Sequence, residues 1–325
     1  MTKLSSIRDT TPLICTAVAM AVSVMLSAGF AHDPQSSEAR QKSKSDHTMF
    51  GGTPSHNMVN LIDKGVPDRV DPDGRALLWK VEVGSLSYGG PVIVGGKVFV
   101  GTDNAIPRNK RDIAKDGEPI ERCILLCLEE KTGSFIWQAV HPLMPFGFRA
   151  HTPYRTLCST PTVEGSRVYY VSNRCTVVCA DIDGQKSKTP AGVERKGFND
   201  PTDARFIWEY DIVKELKVYP HEMFACSPRC VCSPLVAGDM VFAITSNGVD
   251  EGHIDIPTPE APSFIALDKR NGKLIWQSNA PGKGIMHGQW SNPVFGEING
   301  LKQVIFPGGD GWLYSFVPES GETST

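Results

Sequence analysis

The chain has 325 residues, 40% of them hydrophobic and 21% charged, with 33 Lys+Arg against 36 Asp+Glu for a formal net charge of −3. That balance excludes binding to nucleic acid or an anionic membrane through bulk charge, which needs an excess of Lys and Arg over phosphates, and the hydrophobic share excludes disorder over most of the length. The 31 glycines and 24 prolines favour many turns joining short strands over a helical bundle.

At the N-terminus, Lys3 and Arg8 precede an apolar stretch from Leu13 to Leu26, which ends in the small residues Ser27, Ala28, Gly29 and Ala31. This order predicts a signal peptide over residues 1–31, cleaved after Ala31, and export to the periplasm or medium. The alternative is an uncleaved anchor, but a span needs about 20 apolar residues and this stretch has about 14. No transmembrane segment is expected in the mature chain. Cys15 follows Leu13 and Ile14, not the small residue of a lipoprotein signal. Residues 32–75 read as an N-terminal extension and 76–325 as the folded repeats.

Beyond the leader the chain repeats itself. Trp79, Trp137, Trp208 and Trp276 each close an apolar run of similar grammar, at intervals of 58, 71 and 68 residues. Between them lie four alternating hairpins, each led by a proline: Pro91, Pro161, Pro234 and Pro293. Their turns fall at Gly95-Gly96, Gly165, Gly238 and Asn299-Gly300. A hairpin, a third strand running into an Asp/Gly turn and a fourth carrying the tryptophan make four antiparallel strands per unit. Such a sheet cannot bury both faces alone, so the predicted fold is an all-β propeller of about four four-stranded blades. Polar insertions at 104–121, 184–205 and 249–262 are expected as loops on the rim or on one face.

Eight cysteines follow the leader, an even number for an oxidising compartment, and some pairing is expected. Cys123 and Cys127, like Cys175 and Cys179, are four apart, which in a strand is about 13 Å and too far for a bridge within the pair. No Cys-x-x-Cys pair is present, so a cysteine-based zinc site is not expected.

Ala266, Asp268, Gly272, Lys273 and Trp276 stand at the spacing Ala-x-Asp-x-x-x-Gly-Lys-x-x-Trp. This resembles in full the docking motif of the pyrroloquinoline-quinone (PQQ) propeller repeat superfamily, the quinoprotein alcohol dehydrogenase-like propellers. The run from Cys127 to Trp137 keeps Gly133 and Trp137 but has Cys127 for Ala, Glu129 for Asp and Ser134 for Lys. The segment Gly309 to Glu322 resembles the family's third strand and turn, and Met49 to Asn57 resembles the segment before its first blade. The likeness covers about residues 49–322 and is greatest to exported planctomycete-type PQQ-like proteins.

The resemblance implies a propeller whose motif, with Trp79 and Trp208 at equivalent places, docks blades together. It does not imply the cofactor. Quinoprotein members hold PQQ between a tryptophan and a disulfide of adjacent cysteines, with Ca²⁺ on nearby Glu, Asn or Asp; here Cys230 and Cys232 are the nearest approach. A non-catalytic binding or scaffold module for a protein or small-molecule partner is therefore the leading expectation, with a PQQ- and Ca²⁺-dependent periplasmic oxidoreductase as the alternative. The family's rings usually have seven or eight blades, so four units suggest an incomplete ring, unless the strand of Trp79 completes the last blade.

Candidate binding residues lie in loops leading to each innermost strand: His151 beside Arg149, His221 beside Glu222, and His287 with Trp290. Histidines at comparable places could take a metal or an anion, but no His-x-x-His spacing supports ligation, so each is expected to serve its own loop and no metal is assigned. The acidic run Asp250, Glu251, Asp255 around His253 lacks the spacing of a Ca²⁺ loop and reads as solvated. No catalytic residues are assigned, because no Gly-x-Ser-x-Gly, phosphate loop or paired-carboxylate motif is found.

Overall fold

Alternation of apolar and polar residues around tight turns produces four antiparallel sheets in the computed structural model. It describes residues 46–59, 64–65, 69, 74, 77–143, 156–188, 190, 192–221 and 232–323, all within the unit Ser45–Thr325. The leader and its cleavage site lie outside the described residues. Among those described, no helix is long and apolar enough to cross a membrane.

The first sheet runs β1 (Val92–Val94), β2 (Lys97–Asp103), β3 (Arg122–Glu129) and β4 (Phe135–Pro142). The second runs β5 (Thr162–Glu164), β6 (Arg167–Val171), β7 (Thr176–Asp181) and β8 (Phe206–Asp211), followed by the short helix α1 (Ile212–Leu216). The third is β9 (Leu235–Ala237), β10 (Met240–Ile244), β11 (Phe264–Asp268) and β12 (Leu274–Ser278). The fourth has three strands, β13 (Val294–Ile298), β14 (Leu301–Pro307) and β15 (Leu313–Phe316). Residues 77–80 form no strand and do not pair with β15, so the Trp79 segment does not complete the last sheet.

Each leading hairpin has a two-residue turn, with Val94 opposite Lys97, Glu164 opposite Arg167, Ala237 opposite Met240 and Ile298 opposite Leu301. Each turn opens on a left-handed residue, which matches the twist of the flanking strands. The leading strands contact their successors in chain order, β1 with β5, β5 with β9 and β9 with β13, the blade-to-blade order of a propeller.

The tryptophans join the sheets by one repeated contact. Trp79 Nε1 donates to the Glu130 carbonyl at 2.7 Å, Trp137 to Ile182 at 3.0 Å, Trp208 to Lys269 at 3.1 Å and Trp276 to Pro318 at 2.7 Å. In each case the indole lies against a glycine of that same turn: Gly133, Gly184, Gly272 and Gly321. Each ring also meets an aromatic two strands in: Phe99 for Trp137, Tyr169 for Trp208 and Phe242 for Trp276, with centroids 5.7 to 6.0 Å apart. Cys127, Cys179 and Ala266 stand opposite Trp137, Trp208 and Trp276 across the strand pair. The cysteines thus hold the small, fully buried position that alanine holds in the full motif. Cys123, Cys127 and Cys179 are free thiols, and Cys226 and Cys230 lie outside the described residues. Burial pushes the Cys127 and Cys179 thiols up to about 12.

Two of the insertions are docked and not simply solvated. Arg111, in the first, makes a two-pronged pair with Asp203, in the second, through Nη1–Oδ2 at 2.7 Å and Nη2–Oδ1. Asp112, fully buried, takes Arg122 at 3.0 Å and Gln138 Nε2 at 2.8 Å. Gln138 of β4 exchanges backbone bonds with Thr202 and Ala204, so the second insertion lies along the edge of the first sheet. Charged side chains can enter this seam because each meets an opposite charge or a donor there.

The segment 46–55, expected as part of an extension, crosses the leading strands. His47 bridges Ile93 of β1, the Thr48 carbonyl accepts from Val163 of β5, and the Pro54 carbonyl accepts from Phe295 of β13 at 2.8 Å. Met49 is buried among residues of the second, third and fourth sheets.

Candidate functional site

Three loops of the third sheet and its approaches to the fourth are sewn together by backbone hydrogen bonds. His221 N donates to the Ser246 carbonyl at 3.0 Å, Gly248 N to Tyr219 at 3.0 Å, and Val249 N to His287 at 2.9 Å. Gln289 Nε2 adds a bond to the Asn247 carbonyl at 3.1 Å. The strands approach so closely at Gly248 that a Cβ there would stand 2.8 Å from both His221 Cβ and the His287 carbonyl oxygen. Side chains of all three loops therefore meet in one place.

Those side chains are His221, His253 and His287, whose ligand atoms all lie within 4.8 Å of one another. Ring centroids are 4.2 Å apart for His221 and His287, 4.6 Å for His253 and His287, and 5.1 Å for His221 and His253. His287 Nε2 and His253 Nδ1 share a hydrogen bond of 2.8 Å. Trp290 closes one side, 5.4 Å from His221 and 5.2 Å from His287. The burial is graded, with His221 buried, His287 half-buried and His253 exposed. His221 Nδ1 lies 3.3 Å from the Val249 carbonyl; a carbonyl only accepts, so in this contact Nδ1 carries the hydrogen.

Sequence reading placed His221, His287 and Trp290 in inner loops and expected each histidine to serve its own loop. The structure instead brings them together, because the loops are stitched side by side. His151 lies outside the described residues, as do Arg149 and Glu222. The third member, His253, was read only as part of an acidic run; hydrophobic pattern carries no record of which loop a neighbour will meet. Asp250 organises that run, accepting from Ile254 N at 2.9 Å and Asp255 N at 3.2 Å, and these bonds hold its carboxyl below the usual range. Among the described residues the three imidazoles are the group that could hold a metal ion. Their donors are neutral nitrogens, which do not fit the oxygen-rich shell of Ca²⁺, and no pair of adjacent cysteines exists to face a quinone. The site does not fit Ca²⁺–PQQ.

A second polar region is a cleft of about 740 Å³ between the second and third sheets, lined by His141, Arg174, Arg195, Glu209, Lys214 and Lys273 among others. His141 Nε2 bonds Tyr170 OH at 2.9 Å, and burial, with Arg195 and Arg174 nearby, drives its pKa well down. Arg195 lies 4.2 Å from the Phe206 ring centroid, and burial raises the pKa of Glu209. Arg174 donates to the Pro142 and Leu143 carbonyls and Arg195 to the Val140 carbonyl, so both guanidiniums brace the backbone.

No protein-family model matches the chain, and no curated protein matches it. Among solved structures it is similar to BamB from Moraxella catarrhalis, at 14% identity and a TM-score of 0.37 over 71% of this chain and 49% of that one. It is also similar to the quinohemoprotein alcohol dehydrogenase from Comamonas testosteroni (14% identity, TM-score 0.47, 89% of this chain and 50% of that one). A europium-containing methanol dehydrogenase stands alike, at 13% identity and a TM-score of 0.47 over 88% and 50%. The chain spans about half the length of each of these proteins.

Proposed function

We propose that this chain is an exported, non-catalytic binding module built on a PQQ-like propeller scaffold. The observation that carries the reading is the donor set where the loops converge: among the described residues, three imidazoles and an indole, and the sequence has no adjacent cysteines to face a quinone. Export rests on the leader pattern at 1–31. Four of the six tryptophans are already committed to blade docking, which leaves Trp290 and Trp312 as the other two.

The test is a titration of the purified chain with PQQ in the presence of Ca²⁺, followed by tryptophan fluorescence and by alcohol oxidation with a dye acceptor. The expected result is no saturable change and no dye reduction. Stoichiometric PQQ binding with turnover would overturn the reading and make the chain a quinoprotein oxidoreductase.

A further inference from the structure

We propose that His221, His253 and His287 form a site for a divalent transition-metal ion of the zinc type, with three protein ligands and one position left open. The inference names the ligand of the site described above and rests on its reading as a binding module.

Ligand chemistry selects the ion. Imidazole nitrogen suits Zn²⁺, Cu²⁺ and Ni²⁺, whereas Ca²⁺ and Mg²⁺ take oxygen. Three protein ligands are the number that leaves a fourth tetrahedral position for water or an outside ligand. Two of the nitrogens are already close enough to share a proton, His287 Nε2 and His253 Nδ1 at 2.8 Å. An ion would take the place of that proton. Zn–N bonds of about 2.0–2.1 Å set tetrahedral nitrogens roughly 3.3 Å apart, so the His253–His287 pair opens by about 0.5 Å while nitrogens spaced up to 4.8 Å close by up to about 1.5 Å.

The supporting structure is also that of a ligand site. His221, the deepest member, donates its Nδ1 hydrogen to the Val249 carbonyl, the backbone anchor that typically fixes the tautomer and aim of a metal-bound histidine. His287 is held through its own carbonyl by Val249 N, so one residue anchors two ligands. Trp290 packs on both rings and limits water on that side. His253, the exposed member, sits on a loop closed by Asp250 and supplies the entry side and the freedom to close on the ion. A ligand set drawn from positions 221, 253 and 287 ties three loops to one centre, so metal binding stabilises the fold as well as the site.

The experiment uses the full chain, stripped with a chelator and titrated with Co²⁺ as a spectroscopic probe, then competed with Zn²⁺. The expected result is one Co²⁺ per chain, with visible bands of a four-coordinate nitrogen site, displaced by Zn²⁺. His253→Ala, at the exposed member of the trio and with folding checked by circular dichroism, weakens binding by about 100-fold or more, beyond the 10–100-fold typical of losing an outer-shell partner; His47→Ala leaves it unchanged. Added imidazole shifts the cobalt bands if the fourth position is open; unchanged bands would overturn that part of the proposal. A folded chain that binds no Co²⁺, or binds it equally well as His253→Ala, overturns the site. Either failure leaves the module reading standing, because that reading falls only to PQQ binding with turnover.

Discussion

The indole of Trp208 lies so close on Gly272 that a Cβ at that glycine would stand 2.5 Å from Trp208 Cε3. The backbone at Gly272 is also left-handed, with φ at +72°. One residue therefore answers two demands, the turn of the third sheet and the docking of the second upon it.

Gly272→Ala should cost the sum of a strained turn and an overpacked joint, about 2–4 kcal/mol in all. Urea unfolding should show a lower midpoint with the slope unchanged. The same substitution at Gly95, where a Cβ would meet nothing within 4 Å, should cost only the turn strain. Equal losses at the two positions would mean that the indole contact contributes nothing.

The Arg111–Asp203 pair joins two insertions in a seam where the Asp203 side chain is 2% exposed and that of Arg111 24%. Asp203→Ala should destabilise by about 2–3 kcal/mol, because it leaves a partly buried guanidinium with only the long contact to Asp112, 3.7 Å from Arg111 Nε. Paired with Arg111→Met it should cost much less than the sum of the single changes. A double-mutant cycle with no coupling would refute this account.

Cys127 and Cys179 should be silent to a disulfide reagent at pH 8 in the native chain and react on unfolding. Their thiols titrate near 9 when unfolded and about 12 when folded. Folding holds them neutral, so their contribution is fully present below about pH 9 and is lost as pH rises toward 12. Rapid native-state modification would contradict the burial described here.

Asp268 behaves in the opposite sense. The Arg270 side-chain hydrogen bond, opposed by desolvation and aided by the Arg270 backbone and charge, brings its pKa from 3.8 to about 2. Its stabilisation is present above about pH 4 and lost as pH falls through 2. The melting-temperature gap between the wild type and Asp268→Asn should be small, since the Arg270 partner is largely exposed, and should close at pH 2. A gap that persists there would show that the aspartate acts by shape and not by charge.

The sheets were legible because their determinants are local and repeated. Gly238 and the two apolar runs beside it specify a hairpin without knowledge of the rest, and Trp276 lies four residues after Gly272 wherever the motif occurs. The docked seam was not legible, since Arg111 and Asp203 fall in two insertions expected only as loops, and nothing local pairs them until the chain brings them together. The same limit hid His253. Its partners are set by backbone bonds between loops, such as that from Val249 N to the His287 carbonyl, and such bonds leave no side-chain signature in the sequence.

The segment at 46–55 imposes an order of assembly. It precedes every sheet in the chain, yet its anchors lie ever farther along: Ile93 in the first sheet, Val163 in the second and Phe295 in the fourth. Each sheet can take up another length of this segment, and the amide of Phe295 finds the Pro54 carbonyl only once the fourth sheet is in place. Contacts of such long sequence separation are slow to form. Protection of that amide from exchange would therefore serve as a clock for completed folding, and a cut in the chain between positions 59 and 77 would uncouple the clock while leaving every sheet covalently whole.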